Sequence, residues 1–243
     1  VIPSPATIYQ DVFKLEPGQV LLWNKGKLDL KHYWTPDFSE QSTNSAKLSE
    51  TLHQLLEQSV GRCLSHNGST GAFLSGGLDS STVAGYLAKH KPAAASFSIG
   101  FDQPGYDEME YARIASHHFK TTAHEHYLTP ESTTETIEEI AAYYDEPFGN
   151  SSALPTYFCA KLAKENGIDT LLAGDGGDEI FAGNARYAKQ LVFSHYQRVP
   201  QIMRSALLEP VFLHSPLSKI MPTRKVARYI EQANIAMPER LET

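Results

Sequence analysis

Ala72-Phe73-Leu74-Ser75-Gly76-Gly77-Leu78-Asp79-Ser80-Ser81-Thr82-Val83-Ala84 is the stretch whose reading decides the fold. An apolar run, Ala72–Leu74, stops at Ser-Gly-Gly, and a helical pattern starts straight after Asp-Ser-Ser. Strand, tight turn and helix N-terminus in succession make an anion site. The first turn of a helix carries backbone N–H groups without intrahelical partners, and the helix dipole adds partial positive charge there. Gly76 and Gly77 have no Cβ, so their backbone can lie close against phosphate oxygens. Ser75, Ser80 and Ser81 supply hydroxyl donors, and Asp79 is suited to hold a cation that accompanies the phosphates. The pattern is not the Walker loop, G-x-x-x-x-G-K-[ST], because no lysine follows these glycines. The blander alternative is a plain strand-to-helix turn with Asp79 as N-cap, and the full string S-G-G-L-D-S-S weighs against it.

Working outward, strands alternate with helices. Ser80–Lys89 reads as a helix and Ala94–Phe101 as a strand. A helix follows over Asp107–Phe119, with Tyr111, Ile114 and Ala115 facing inward, and then a strand over Ala123–Leu128. Pro130–Tyr144 is a helix with proline in its first turn. Ala153–Ala163 is another, stopped by Asn166-Gly167, and Ile168–Ala173 is a fourth strand. This order predicts an α/β fold, a doubly wound and mostly parallel sheet covered on both faces. Its ligands should lie outside the carboxyl ends of the strands, where strand order switches. Upstream, Asn24-Lys25-Gly26-Lys27 between two apolar runs predicts a β-hairpin arm. A polar linker, Thr35 to Ser45, precedes a helix with Leu48, Leu52, Leu55, Leu56, Val60, Cys63 and Leu64 on one face, expected to pack against the sheet. From Glu179 onward the chain reads as helices punctuated by Pro200, Pro210, Pro216, Pro222 and Pro238. We therefore divide it into residues 1–45, an arm and linker, and residues 46–243, an α/β domain carrying the glycine loop, with a helical C-terminal part.

The fourth strand ends at a second glycine turn, Gly174-Asp175-Gly176-Gly177-Asp178-Glu179. Three carboxylates within five residues repel one another unless a cation or donor lies between them. The spacing is not that of an EF-hand. If this turn lies beside the first, Asp79 and Asp178 can share a Mg²⁺ riding on phosphate oxygens, since Mg²⁺ favours hard oxygen ligands and keeps part of its hydration. A solvated turn in which Asp178 caps the next helix is the alternative.

Composition narrows the function classes. The chain has 243 residues, 41% of them hydrophobic and 20% charged, enough for a substantial core. A net charge of −7 argues against general binding to nucleic acid or to a membrane surface. No apolar run approaches transmembrane length and no signal peptide opens the chain. Cys63 and Cys159 fit neither a metal spacing nor a disulfide framework and are expected to be buried thiols of a cytoplasmic protein. The first residue is valine, which leads us to expect a piece of a longer protein.

Ser75–Ser81 resembles the pyrophosphate loop of the adenylating ATP pyrophosphatases. Phe97-Ser98-Ile99-Gly100-Phe101, Asp145-Glu146-Pro147 and Ala173–Glu179 narrow the resemblance to the asparagine synthetase family of the glutamine-hydrolysing type. Tyr9–Gly18 and Tyr33-Trp34 resemble that family's segment between its glutaminase and synthetase halves. The resemblance implies a synthetase half in which ATP activates a carboxylate, typically aspartate, as an acyl-adenylate, and ammonia then displaces AMP to give an amide. The missing Walker lysine agrees with attack at the α-phosphate. The resemblance further implies that Ser75, Gly76, Gly77, Asp79, Ser80 and Ser81 hold the pyrophosphate portion, and that Leu74, Ile99 and Gly174 line the adenosine pocket. Asp79 and Asp178 would bind Mg²⁺, and Asp175 would position or deprotonate ammonia. Asp145, Glu146, Ser151 and Ser152 would belong to the substrate region, where Asn150 departs from the usual Asp.

Two departures shape what is expected of this chain. The family's glutaminase half begins with a nucleophilic cysteine, which Val1 does not supply, so ammonia would come from a domain outside this chain. The family's downstream lysine that steadies the activated carboxylate has no counterpart in context, since neither Lys219 nor Lys225 fits. Expected partners are a small carboxylate, with neither nucleic acid nor membrane, and the resemblance is compatible with a homodimer. Two other functions fit the same residues: a related amidotransferase or β-lactam- or peptide-cyclising synthetase acting on another carboxylate, and a non-catalytic nucleotide-binding domain. His117, His118, His124 and His126 read as a surface cluster rather than a zinc site. Glu135, Glu138 and Glu139 read as a solvated helix face.

Overall fold

The computed structural model describes residues 2–39, 44–64, 68–102, 107–181, 183, 185–213 and 223–236. Pro216, Lys219, Pro222 and Pro238 lie outside the described residues. The chain divides into two compact units, residues 1–174 and 175–243.

In the first unit, β1 (Gln19–Asn24) and β2 (Lys27–His32) form the expected antiparallel hairpin. Lys25 and Gly26 both take positive φ, 47° and 82°, so the two-residue turn matches the right-handed twist of the strands. Helix α1 (Ser45–Arg62) opens with Asn44 accepting from the Ala46 N–H. Its apolar face reaches the core only late: Val60 is buried and Leu56 and Leu64 pack beside it, while Leu48, Leu52 and Leu55 are exposed. The expected packing of the whole face on the sheet is corrected here. The helix lies chiefly against α2 (Leu78–His90), with the polar links running from His53 to Tyr86 and from Glu57 to Lys89 and His90.

Four strands, β3 (Thr70–Phe73), β4 (Ala95–Phe101), β5 (Thr122–Leu128) and β6 (Thr170–Leu172), form a wholly parallel sheet in the order β5-β4-β3-β6. Side chains alternate across it. Ala72 and Leu74 point into a core with Ala84 and Leu87 of α2 and with Met109 and Ala112 of α3 (Met109–Phe119). Phe73 and Phe97 point into another, built on Cys159 and Ala163 of α5 (Ala153–Glu165). A core on each face is the doubly wound arrangement the alternation predicts. Phe97, Leu74 and Leu87 are almost fully buried, each contributing about 1.5–3 kcal/mol of transfer free energy.

Between β5 and α5 runs α4 (Pro130–Tyr143), opened by a reciprocal cap between Thr129 and Ser132. The inward face of α3 differs from expectation: Met109, Ala112 and Ser116 are buried, whereas Tyr111 is 63% and Ile114 61% exposed. Ala115 packs against the core as expected, and the helix backbone at Tyr111 and Ala112 comes close to the Gly76 turn. The cysteines divide as well. Cys159 is buried and its thiol pushed up to about 12 by that burial, while Cys63 is exposed, against the expectation for both.

The second unit is helical: α6 (Gly177–Phe181), α7 (Ala185–Gln197), α8 (Gln201–Met203), a π turn over Arg204–Leu208, α9 (Glu209–Leu213) and α10 (Thr223–Asn234). Phe193, Tyr196, Ile230 and Ala233 form its core. Tyr196 and Asn234 both donate to Glu209 at 3.1 Å, tying α7 and α10 to α9. Among the described residues no helix is long and apolar enough to cross a membrane.

Candidate functional site

Chain order reverses at β3, because β4 lies on one side of it and β6 on the other. The loop after β3 therefore sits at the switch point where open α/β sheets bind ligands. Its base is fixed by β4: the Leu74 N–H donates to the Phe97 carbonyl at 2.9 Å, and the Ser98 hydroxyl donates to the Leu74 carbonyl at 2.6 Å. Gly76 takes φ +85°, and a Cβ there would lie 2.5 Å from the backbone of Tyr111 and Ala112. Both conditions require glycine. The Ser80 hydroxyl donates to the Gly77 carbonyl and accepts from the Ser75 N–H at 3.2 Å, and the Ser75 hydroxyl lies 3.0 Å from it. The Gly77 N–H in turn donates to the Ser75 hydroxyl. These two serines hold the loop in shape.

Gly77 is the N-cap of α2 and has no side chain with which to cap it; its carbonyl receives the Ser81 N–H at 3.0 Å. The N–H groups of Leu78, Asp79 and Ser80 thus lack a side-chain cap at an exposed helix start. Leu78, 84% exposed, leaves that start uncovered. The end of β6 closes against it. A Cβ on Gly174 would fall 2.8 Å from the Asp79 Cβ and 2.9 Å from the Ser80 nitrogen, so nothing larger than glycine fits. Ser75, Gly76, Gly77, Asp79, Ser80 and Gly174 are therefore brought together. A backbone cradle with free donors and one flanking carboxylate fits a phosphate chain and an accompanying cation. Among the described residues no three His, Cys, Asp or Glu side chains converge, so a Mg²⁺ there would take several of its ligands from phosphate and water.

The other expected residues fall elsewhere. Ile99 is on β4 with its side chain packed toward the α5 core. Asp175, Asp178 and Glu179 are exposed and belong to the second unit. Asp145, Glu146 and Ser151 line a cavity of about 560 Å³ at the junction of α4 and α5. Ser152 is the N-cap of α5, and its N–H donates to the Asn150 side-chain oxygen at 3.1 Å. The Lys14 ammonium meets the Glu146 carboxylate at 2.7 Å and also donates to the Ile2 carbonyl. The Tyr9 hydroxyl donates to the Asp145 carbonyl at 3.4 Å, and Ile8 joins the lining.

Sequence reasoning missed Lys14, Tyr9 and Ser98. No spacing rule links Lys14 to Glu146, 132 positions away. Ser98 did carry a signal, a hydroxyl inside an apolar strand, which implies a buried acceptor.

Fold and loop define a doubly wound α/β domain with a glycine-rich strand-to-helix loop at its switch point. A family model described as asparagine synthase matches residues 51–241, and the chain belongs to that family. It is 36% identical over 208 residues to "Putative asparagine synthetase 2" (glutamine-hydrolyzing) of Methanocaldococcus jannaschii, covering 84% of this chain and 40% of that protein. It is 30% identical to asparagine synthetase 1 (glutamine-hydrolyzing) of Bacillus subtilis, covering 85% of this chain and 33% of the other. The chain thus spans two-fifths or less of the length of these relatives. Among solved structures, an NH3-dependent NAD synthetase from Campylobacter jejuni overlays 53% of this chain and 56% of its own, with a TM-score of 0.34 and 11% identity.

Proposed function

We propose that this chain is the ATP-binding and adenylating part of an amide-forming ligase. The observation that carries the reading is the Ser75–Ser80 loop: the helix start it leads into has no side-chain cap, its serines are used to shape it, and Gly174 is pressed against Asp79. Such a loop holds phosphates through main-chain N–H groups. Without a lysine to follow the β- and γ-phosphates, it suits departure of those two phosphates together as pyrophosphate.

In this reading a carboxylate oxygen attacks the α-phosphorus of ATP, the bond to the β-phosphate breaks, and pyrophosphate leaves from the Ser75–Ser81 loop. Ammonia then attacks the acyl carbon, AMP departs, and a proton passes from nitrogen to a base, the role we assign to Asp175. Leu74, Ile99 and Gly174 are assigned to the adenosine side, partly through their backbone groups, since the Leu74 and Ile99 side chains pack into the cores. Asp79 and Asp178 are assigned to Mg²⁺, which would neutralise charge on the leaving pyrophosphate. Asp145, Glu146, Ser151 and Ser152 form the substrate region. Aspartate is the carboxylate the relatives' names suggest, ammonia would come from a glutaminase domain outside residues 1–243, and the setting is cytoplasmic. Residues 1–45 are assigned to the end of that half and its linker.

The test is ³¹P analysis of products from the full-length protein with ATP, Mg²⁺, ammonia and a panel of carboxylates. AMP and pyrophosphate formed only with a carboxylate support the reading; ADP and phosphate contradict it. A second reading, activation of an acid other than aspartate, is favoured by the apolar lining that Ile137, Ile140, Phe148 and Leu154 give the cavity beside Asp145.

A further inference from the structure

The loop from Tyr144 to Ser152 leads into α5, and the N-terminal arm is fastened to it. Helix α5 passes through a short turn, residues 166–169, into the start of β6, so its other end faces the carboxyl edge of the parallel sheet. That edge also carries the Ser75–Ser80 loop, at the end of β3.

The arm is braced before it reaches the loop. The Thr7 hydroxyl donates to the Val12 carbonyl at 2.7 Å, and the Lys14 N–H donates to the Pro5 carbonyl at 3.0 Å. The segment thus closes on itself and presents the Lys14 ammonium from a fixed backbone. That ammonium donates to the Ile2 carbonyl at 2.8 Å and to the Glu146 carboxylate at 2.7 Å. One residue earlier, the Asp145 carbonyl accepts from the Tyr9 hydroxyl at 3.4 Å. The Tyr144 and Phe148 rings, on either side of these two residues, stack with centres 4.9 Å apart. The Lys14 and Glu146 side chains are 32% and 24% exposed, more shielded than an ordinary surface pair, so their charge-assisted bond constrains the loop.

We propose that Lys14 is a positioning residue for the carboxylate substrate: it fixes Glu146, and with it the Tyr144–Phe148 loop, before that substrate arrives. This rests on the ligase reading, in which the loop belongs to the substrate region. A loop already held in its binding arrangement spares the substrate the cost of ordering it, and the saving appears in KM rather than in kcat. The bonds of Lys14 lie within the arm and this loop, and none reaches Ser75–Ser80, so ATP binding is independent of it.

Steady-state pyrophosphate release by the full-length protein with ammonia tests the assignment. L-Aspartate is varied at saturating Mg·ATP, then Mg·ATP at saturating L-aspartate; an acid of the carboxylate panel that releases more pyrophosphate takes the place of aspartate. Lys14→Met should raise KM for the acid at least fivefold, with kcat and the KM for ATP within twofold of wild type. Lys14→Arg should return KM for the acid to within twofold of wild type. A purely structural role would lower the active fraction, and so kcat, at unchanged KM. Unchanged KM for the acid in Lys14→Met, an equal rise in the KM for ATP, or no recovery with arginine overturns the proposal and leaves the ligase reading standing. Wild type that releases no pyrophosphate with any acid of the panel overturns the ligase reading and this inference with it.

Discussion

Gly76 takes φ +85° with the α3 backbone 2.5 Å from where a Cβ would be. Alanine there meets two separate costs, the left-handed conformation and the overlap, for a combined loss of about 2–4 kcal/mol. Gly76→Ala should therefore lower the urea midpoint and abolish ATP binding; a variant as stable as wild type would mean that the turn relaxes freely. Cys159 offers a test through pH. Its folded pKa, about 12, lies above the value of 9.0 for an unperturbed thiol, because burial disfavours the thiolate. Below pH 9 the thiol is protonated in both states. As pH rises from 9 toward 12 the unfolded chain releases the proton first, so stability falls, by up to about 1.4 kcal/mol per pH unit. Urea unfolding at pH 8 and pH 10.5 should show a steeper loss in wild type than in Cys159→Ala; equal slopes would exclude the thiol. In the folded protein a thiol reagent should modify Cys63 quickly and Cys159 only on unfolding.

At the scale of elements, the β3 corner is held by its neighbour. The buried Ser98 hydroxyl donates to the Leu74 carbonyl at 2.6 Å, directly before the loop. Removing it leaves a buried acceptor with one fewer donor, at a cost of about 1–3 kcal/mol. Ser98→Ala should lower stability by that amount and weaken ATP binding through the loop it supports; loss of stability with unchanged ATP affinity would confine Ser98 to the fold. The strands and helices themselves were legible, since alternation and glycine punctuation mark them directly. The facing of α3 was not. Periodicity favours Tyr111 and Ile114 as core, but Met109, Ala112 and Ser116 are buried instead, and the close approach of the α3 backbone to Gly76 at Ala112 is a tertiary contact no local pattern marks. The same holds for α1, whose first turns lack a buried face.

For the whole molecule, the site divides by what made it readable. The loop proposed to hold phosphate is local in sequence, Ser75 to Ser80, so its strand-turn-helix form is legible in the order of those residues alone. Gly174 joins it through parallel pairing of β3 with β6, which the order of elements already implies. The cavity at Asp145 depends on a segment near the N-terminus reaching across more than 130 positions, and only the pairing of Lys14 with Glu146 and Tyr9 with Asp145 reveals it. Lys14→Met should release that arm and make the bonds near Tyr9 and Lys14 more susceptible to limited proteolysis, with Lys14→Arg restoring protection; equal cleavage in all three proteins would show that the ion pair does not hold the arm. The central claim is that the loop at the switch point binds the phosphates of ATP with a metal at Asp79, and equilibrium titration of Mg·ATP into wild type and Asp79→Ala tests it most directly. Saturable binding that depends on Mg²⁺ and falls at least tenfold in the variant is the predicted result. The same affinity in both proteins, with or without Mg²⁺, would contradict it.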